Sequence, residues 1–375
     1  MHRAVTITRD LIAIPSVNAM GKAHSAPEIY SERKMAFYLL RFLAGLGLET
    51  EIIAADEQHP NIMARMEGET DETVLLEAHM DTVSHLNMTI DPFDPKIENE
   101  RLYGRGSCDT KASLATYLYA MEWLVKHKVK PKRNLILLAV HNEEYNFGGI
   151  RECVEKGLKA DYALVGEPTS LNIIHAHKGV CRFTLETKGK NAHGALPWLG
   201  ENAIYGMADV LQAIKSYEKS LKRLVHPDLG CATINVGTIE GGLAVNIVPD
   251  RCRLRIDRRL LPGETAASVI AGLKKALPEN VPLTVSGAEL FAPAVHTPRT
   301  SRVCALVEDA CRRAGVETRY ETAHFATDAS VLSAAGIPAV VFGPGSIEQA
   351  HTPDEYIETE QIEKAAAIIL NLLRE

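Results

Sequence analysis

Four short apolar runs constrain the fold of this chain more than any other feature of its sequence. They occupy residues 74–80, 134–140, 162–165 and 337–342. Apolar runs of this length are typical of strands buried in a sheet, and helical patterns such as the one at 31–44 lie between them. We therefore predict an α/β domain, with an open mixed sheet and helices on both of its faces.

Groups that can bind metal ions follow each of these runs. The two in 79–81 are two residues apart, so an extended strand points them to the same side. Because ligands bind at the carboxyl ends of the strands in open α/β sheets, the groups are expected to converge there. The set consists of His79, Asp81, Asp109, Glu143, Glu144, Glu167 and His351.

Each group also has a simpler interpretation when it is taken alone. His79 could be a surface or core histidine, and Asp109 could cap the helix that follows it. The adjacent pair Glu143 and Glu144 is costly to bury unless a positive charge offsets it. As a set, two histidines and three or more carboxylates favour a metal centre, and the number of carboxylates suits two divalent ions bridged by one of them. A spare carboxylate of the Glu pair could then act as a general base.

The middle of the chain has a different pattern. Strands are predicted at 180–187, 231–239 and 251–258, and helices at 201–217 and 264–277. This order indicates an α+β unit of the ferredoxin-like type. We predict that residues 178–290 are an insertion into a catalytic domain formed by residues 1–177 and 291–375.

Composition excludes several classes of function. The chain has 375 residues, a net charge of -7 and a pI near 6.1, which argues against a nucleic-acid or membrane-surface binder. No apolar stretch is long enough to span a bilayer, and the first residues do not form a secretory signal. The seven cysteines have no paired spacing, so we expect a reducing, cytoplasmic location and no disulfide framework.

Five motifs together resemble those of the M20 family of co-catalytic metallopeptidases and amidohydrolases. In chain order they are EAHMDTV, GRGSCDTK, HNEE, VGEPTS and AHTPDEY. The resemblance covers nearly the whole chain. Within the family, GEPTSLNIIHAHKG, GRGSCDTK and DRRLLPGE look closest to the branch of acetylornithine deacetylases, with the succinyl-diaminopimelate desuccinylases as near relatives.

The resemblance implies a role for each residue of the predicted centre. His79 and Glu167 match ligands of the first metal, and Asp81 matches the partner that orients His79. Asp109 matches the bridging carboxylate. The remaining residues match the general base (Glu143) and the ligands of the second metal (Glu144 and His351). The cofactors implied are two divalent ions, with Zn expected and Co or Mn also possible.

The inserted unit resembles the lid and dimerisation domain of the family. His193 matches a histidine that reaches the active site of the partner subunit, which implies a homodimer. Asn246 and Arg259 match residues that hold the substrate carboxylate, although the neighbouring Arg258 could take the place of Arg259. Asp328 lies in a loop near the family's active site and is carried over as a substrate contact.

The resemblance implies an amidohydrolase that releases the acyl group of an N-acyl amino acid, with N2-acetylornithine as the first substrate to test. Aminopeptidases of the family tend to have Asp where this chain has Glu167, which favours a deacylase or carboxypeptidase. The sequence also leaves open a desuccinylase, a dipeptidase, a metal-stabilised binding protein without turnover and a purely structural protein. Two departures from the family pattern bear on the substrate: TKAS after Asp109, and His-Asn before the Glu pair.

Overall fold

The computed structural model describes residues 1–54 and 56–375, and within them the chain divides into two compact units. The first contains Met1–His175, Thr297–Glu321 and Thr327–Glu375, and the second contains Ala176–His296 and Thr322–Ala326. The insertion predicted at 178–290 lies within the second unit. Among the described residues, no helix is both long and apolar enough to cross a membrane.

The secondary structure alternates between helices and strands in the first unit. The helices are α1 (Arg3–Ile12), α2 (Arg33–Gly45), α3 (Lys111–His127), α4 (Glu143–Asn146), α5 (Gly148–Glu155), α6 (Ala203–Leu221), α7 (Ala266–Lys274), α8 (Arg302–Arg313), α9 (Ala329–Ala334) and α10 (Thr359–Arg374). The strands are β1 (Glu49–Ile53), β2 (Asn61–Met66), β3 (Thr70–His79), β4 (Lys96–Glu98), β5 (Arg101–Tyr103), β6 (Arg133–Val140), β7 (Tyr162–Val165), β8 (Ile173–His177), β9 (Gly179–Lys188), β10 (Ala192–His193), β11 (Val225–His226), β12 (Gly230–Cys231), β13 (Thr233–Gly241), β14 (Ile247–Val248), β15 (Arg251–Leu260), β16 (Leu283–Val285), β17 (Leu290–Ala292), β18 (Val295–His296), β19 (Tyr320–Ala323), β20 (Ala339–Val341) and β21 (Tyr356–Glu358).

The first unit is built on a mixed sheet, as the sequence predicts. Its strands follow the order β1-β2-β6-β3-β7-β20-β8. The four at the centre, β6, β3, β7 and β20, run parallel to one another, whereas β2 and β8 pair antiparallel with this central group. Leu75 and Leu76 point to opposite faces of β3, and both are fully buried. Both faces of the sheet are therefore covered, which explains why these strands are continuous apolar runs.

The second unit has the predicted order of elements, β9-α6-β13-β15-α7-β16. Its strands form an antiparallel sheet in the spatial order β13-β15-β9-β16. This is the ferredoxin-like arrangement. Alternate residues of β15 are buried, and Leu254 and Ile256 pack with Val210 of α6 and Leu273 of α7 in the core of this unit.

One helix end differs from what its glycines predict. Gly45 directly follows the apolar pattern of α2 and is the first candidate for its stop, but the helix includes Gly45. The left-handed residue is instead the second candidate, Gly47, with φ 74°, and Leu48 donates its N–H to the carbonyl of Leu43. Gly47 therefore supplies the backbone conformation that closes a helix at its carboxyl end.

Candidate metal centre

The parallel strands of the first unit bring the predicted ligands to one edge of the sheet. β3 ends at His79, β6 ends just before the segment 141–144, and β7 ends two residues before Glu167. Because β3 is parallel to both β6 and β7, the carboxyl ends of the three strands face the same way. The register places His79 beside Val140, so the Glu pair begins directly next to the first ligand.

The first ligand group consists of His79, Asp109 and Glu167, all buried. Nε2 of His79 lies 3.0 Å from Oδ1 of Asp109 and 3.7 Å from Oε1 of Glu167. Nδ1 of the same ring is 2.8 Å from the main-chain oxygen of Asp81. Since a carbonyl oxygen only accepts hydrogen bonds, Nδ1 must carry the proton, and neutral His79 presents the lone pair of Nε2 to this group.

The second ligand group consists of Asp109, Glu144 and His351. Nε2 of His351 lies 3.2 Å from Oδ2 of Asp109 and 3.3 Å from Oε2 of Glu144. Asp109 therefore gives one carboxylate oxygen to each group. It does not cap the following helix, because the N-cap position of α3 is Thr110. This geometry is the one expected of a carboxylate that bridges two ions.

Electrostatics at the two groups favours bound cations. Burial and the charge of Asp109 raise the pKa of Glu144 to about 7, and hydrogen bonds to Asp109 and Glu144 raise the pKa of His351 to about 10. Oε1 of Glu144 is buried and has no hydrogen-bond partner among the described residues. Both shifts reflect an excess of negative charge in a space that excludes water. Imidazole and carboxylate ligands of this kind fit divalent ions such as Zn.

Glu143 lies beside these groups without belonging to either of them. Burial and the charge of Glu167 raise the pKa of Glu143 well above its usual range. A carboxylate whose pKa is raised toward neutrality can both accept and return a proton, which is the property required of a general base.

The carboxylate of Asp81 fixes the start of the Glu pair. Its Oδ1 accepts the N–H of Glu143 at 3.1 Å, and its Oδ2 accepts the N–H of Glu144 at 3.2 Å. The same carboxylate is 3.6 Å from Nδ1 of His79, so that ring is hydrogen-bonded to the main chain of Asp81 rather than to its side chain. Asp81 thus links the histidine ligand to the segment that carries Glu143 and Glu144.

Asn18 is a contributor that the sequence reasoning missed. Its amide donates to Oδ2 of Asp81 at 2.7 Å and to Oδ1 of Asn142 at 2.8 Å. Asn142 has φ 62°, a left-handed conformation that Asn tolerates better than most residues, and it precedes the Glu pair directly. The only signal in the sequence is an Asn shortly after Pro15-Ser16, which is too common a pattern to be informative.

The predicted substrate residues of the second unit lie in two places. β10 pairs with β14, and the N–H of Gly194 donates to the carbonyl of Asn246, which brings His193 and Asn246 close together on exposed backbone. Arg259 is partly exposed and pairs with Asp257 at 2.7 Å. Arg258 is fully buried and pairs with Glu264, so Arg259 is the more accessible of the two guanidinium groups.

Asp328 is only 1% exposed, and its carboxyl group lies near that of Glu77, which is equally buried. Burial raises the pKa of Asp328 to about 7. The two acids stand close to the first ligand group, because the charge of His79 acts on both of them. The substrate contact predicted for Asp328 stays a prediction.

Known proteins resemble this chain along its whole length. An acetylornithine deacetylase from Edwardsiella ictaluri is 30% identical over 98% of this chain and 96% of its own. An M20-family metallo-carboxypeptidase from Sulfolobus solfataricus has a TM-score of 0.81 and 23% identity, covering 100% of this chain and 99% of its own. A dinuclear metal-binding M20 peptidase from Bacillus subtilis has a TM-score of 0.73 and 17% identity, covering 99% and 96%.

The sequence between residues 75 and 375 matches the family described as Peptidase family M20/M25/M40. This range contains every residue of the two ligand groups, together with Asp81 and Glu143. The chain belongs to peptidase family M20/M25/M40.

Proposed function

We propose that this protein is a two-metal amidohydrolase that removes the acyl group of an N-acyl amino acid, with N2-acetylornithine as its substrate. The observation that carries the proposal is the pair of ligand groups that share Asp109, with Glu143 beside both of them. The activity named for the relative from Edwardsiella ictaluri, which this chain matches over nearly its full length, supports the choice of substrate.

The residues assigned to the ions are His79, Asp109 and Glu167 for one, and Asp109, Glu144 and His351 for the other. Zn is the expected metal, and Co or Mn would suit the same imidazole and carboxylate ligands. When bound, such ions polarise the acyl carbonyl and lower the pKa of an attacking water.

Glu143 carries the proton in this reaction. Its raised pKa lets it take a proton from the water and then pass it to the leaving amine. The hydrogen bond from its own N–H to Asp81 keeps the backbone of Glu143 fixed throughout. A fixed base does not need to be reordered at each turnover, which lowers the entropic part of the barrier.

Recognition of the substrate carboxylate is assigned to Arg259 and Asn246, and a hydrogen bond to the oxyanion is assigned to His193 of a second subunit. Arg suits the first task because its planar fork can bind both oxygens of a carboxylate. His193 and Asn246 are exposed in the second unit and are therefore available to a ligand or a partner.

A homodimer is part of the proposal, and two features of the second unit support it. β13 lies at an edge of its sheet in the described part of the chain. Large apolar side chains are also exposed in this unit, among them Trp198 at 72%, Tyr205 at 73% and Leu243 at 84%. An open strand edge and exposed apolar side chains are features that association with a second copy would cover.

The substrate is tested by a hydrolysis screen of the purified protein loaded with Zn, Co or Mn. The panel contains N2-acetylornithine, N-succinyl-diaminopimelate, other N-acyl amino acids, dipeptides and peptides with a free carboxyl terminus. We expect the highest kcat/KM with N2-acetylornithine and no turnover after removal of metal by a chelator. Preference for the succinyl compound or for peptides would replace the proposed substrate, and an inert metal-loaded protein would refute the hydrolase.

The role of His193 across subunits predicts a complementation result. His193→Ala and Glu143→Ala are each expected to be inactive homodimers. After subunit exchange of equal amounts, a mixed dimer has one site with both groups intact, so about a quarter of all sites should regain activity. Turnover is measured before and after exchange, with dimers monitored by light scattering. Activity that stays at the level of the separate variants would contradict the proposal.

A further inference from the structure

Glu355 is completely buried and binds the loop that carries the bridging ligand. Its Oε2 accepts hydrogen bonds from Nη1 of Arg105 at 2.7 Å and from the N–H of Gly106 at 3.0 Å. Its Oε1 accepts the N–H groups of Cys108 at 2.9 Å and Asp109 at 3.0 Å. One carboxylate therefore holds four donors from five consecutive residues, and the last of them is the ligand itself.

This arrangement requires an ionised carboxylate. Each oxygen receives two donors, so neither oxygen is in a position to donate a proton to its surroundings. The opposite charge comes from Arg105, whose side chain is 1% exposed. A buried ion pair of this kind is tolerated when its geometry is good and further hydrogen bonds satisfy the groups, as the three N–H groups do here.

The same residue connects this loop to the other ligand of the second group. Glu355 lies four residues after His351, and its carbonyl accepts the N–H of Gly104. Immediately beyond it, β21 pairs with β5, so the chain that follows His351 is bound to the chain that leads to Asp109. The 3.2 Å separation of Nε2 of His351 from Oδ2 of Asp109 thus depends on two segments that Glu355 joins with both its main chain and its side chain.

The first ligand group depends less on this connection. His79 ends β3, and Glu167 follows β7, a strand that pairs directly with β3 in the central sheet. Asp109 is the only ligand of that group whose N–H Glu355 holds. In the second group, two of the three ligands lie on the segments that Glu355 joins, and only Glu144 is positioned separately, through Asp81.

We propose that Glu355 is a positioning residue that sets the affinity of the second metal site, formed by Asp109, Glu144 and His351. This inference rests on the two-metal centre of the proposed function and goes beyond it, because Glu355 contacts neither the ligand oxygens of that site nor a substrate. It acts by fixing the backbone from which Asp109 and His351 extend.

The test uses Glu355→Gln, which keeps the size of the side chain but replaces one acceptor oxygen with an NH₂ group that donates. Metal-free full-length protein is titrated with Co²⁺, and binding is followed by calorimetry and by the visible absorption spectrum of the bound ion. Residues that orient ligands typically change metal affinity by about 10- to 100-fold when mutated. We expect a loss of this size for one of the two ions, a smaller loss for the other, and an altered spectrum of the affected site.

A matched control separates this effect from general destabilisation. Glu122 is also a buried carboxylate of the first unit, and it pairs with Arg3 at 2.9 Å, but it belongs to neither ligand group. Glu122→Gln is expected to lower the unfolding temperature without changing either affinity for Co²⁺. Unfolding temperatures are measured with a chelator present, so that any difference in stability is read without bound metal.

Glu355→Asp provides a second variant if Glu355→Gln does not fold. It keeps the charge but shortens the reach, and we expect an intermediate loss of affinity at the same site. A folded variant at position 355 that binds both ions with wild-type affinity and an unchanged spectrum would overturn the inference, even if its unfolding temperature falls. A wild-type protein that binds two ions but hydrolyses nothing would instead refute the proposed function alone.

Discussion

Replacing Glu143 by glutamine is expected to leave both metal ions bound and to lower kcat by about 10²- to 10⁴-fold, the usual contribution of a general base. The side chain keeps its size, and the N–H that donates to Asp81 belongs to the main chain, so the local fold should survive. Only the ability to take up a proton is lost. The measurement is kcat with N2-acetylornithine, together with metal content after gel filtration.

The neighbouring residue provides the control for this prediction. Glu144→Gln alters a ligand of the second group, and it should therefore lose one ion as well as activity. Two adjacent glutamates are thus expected to give the same loss of turnover with opposite effects on metal content. Near-normal turnover in Glu143→Gln, or loss of metal from it, would contradict its role as the base.

The sequence predicts the site well where strands deliver the ligands. His79 ends a strand, and Glu167 follows another by two residues, so an apolar run is enough to locate both. A parallel sheet then brings them together, because the carboxyl ends of parallel strands share an edge. The same reasoning predicts the mixed sheet and the ferredoxin-like order of the second unit, both of which are confirmed.

Contacts between distant segments could not be predicted in this way. The use of both oxygens of Asp109 depends on where His79 and His351 meet, and these residues are far apart in the chain. The hydrogen bonds from the Glu pair to Asp81, and from the 105–109 loop to Glu355, form only after the sheet has assembled. Local patterns also left the position of helix ends open, as the continuation of α2 through Gly45 illustrates.

Asp109→Ala is expected to have the most severe effect of any single substitution at the centre. Oδ1 of Asp109 contacts His79 and Oδ2 contacts His351, so one substitution removes a ligand from both groups. The remaining pairs, His79 with Glu167 and Glu144 with His351, would each offer two protein ligands, fewer than zinc sites in proteins use. We expect the purified variant to contain neither ion and to lose about 10³-fold or more in kcat/KM, since metal ions contribute several kcal/mol.

Glu167→Ala distinguishes loss of a shared ligand from loss of any ligand. Glu167 belongs only to the first group, so its removal should weaken one ion and leave Asp109, Glu144 and His351 able to hold the other. Metal content measured by mass spectrometry is therefore expected to be near zero for Asp109→Ala and near one ion per chain for Glu167→Ala. If Asp109→Ala retained both ions, its carboxylate would not bridge them. Equal metal loss in the two variants would mean that the sites empty together, and the separate assignment of ligands to two ions would be wrong.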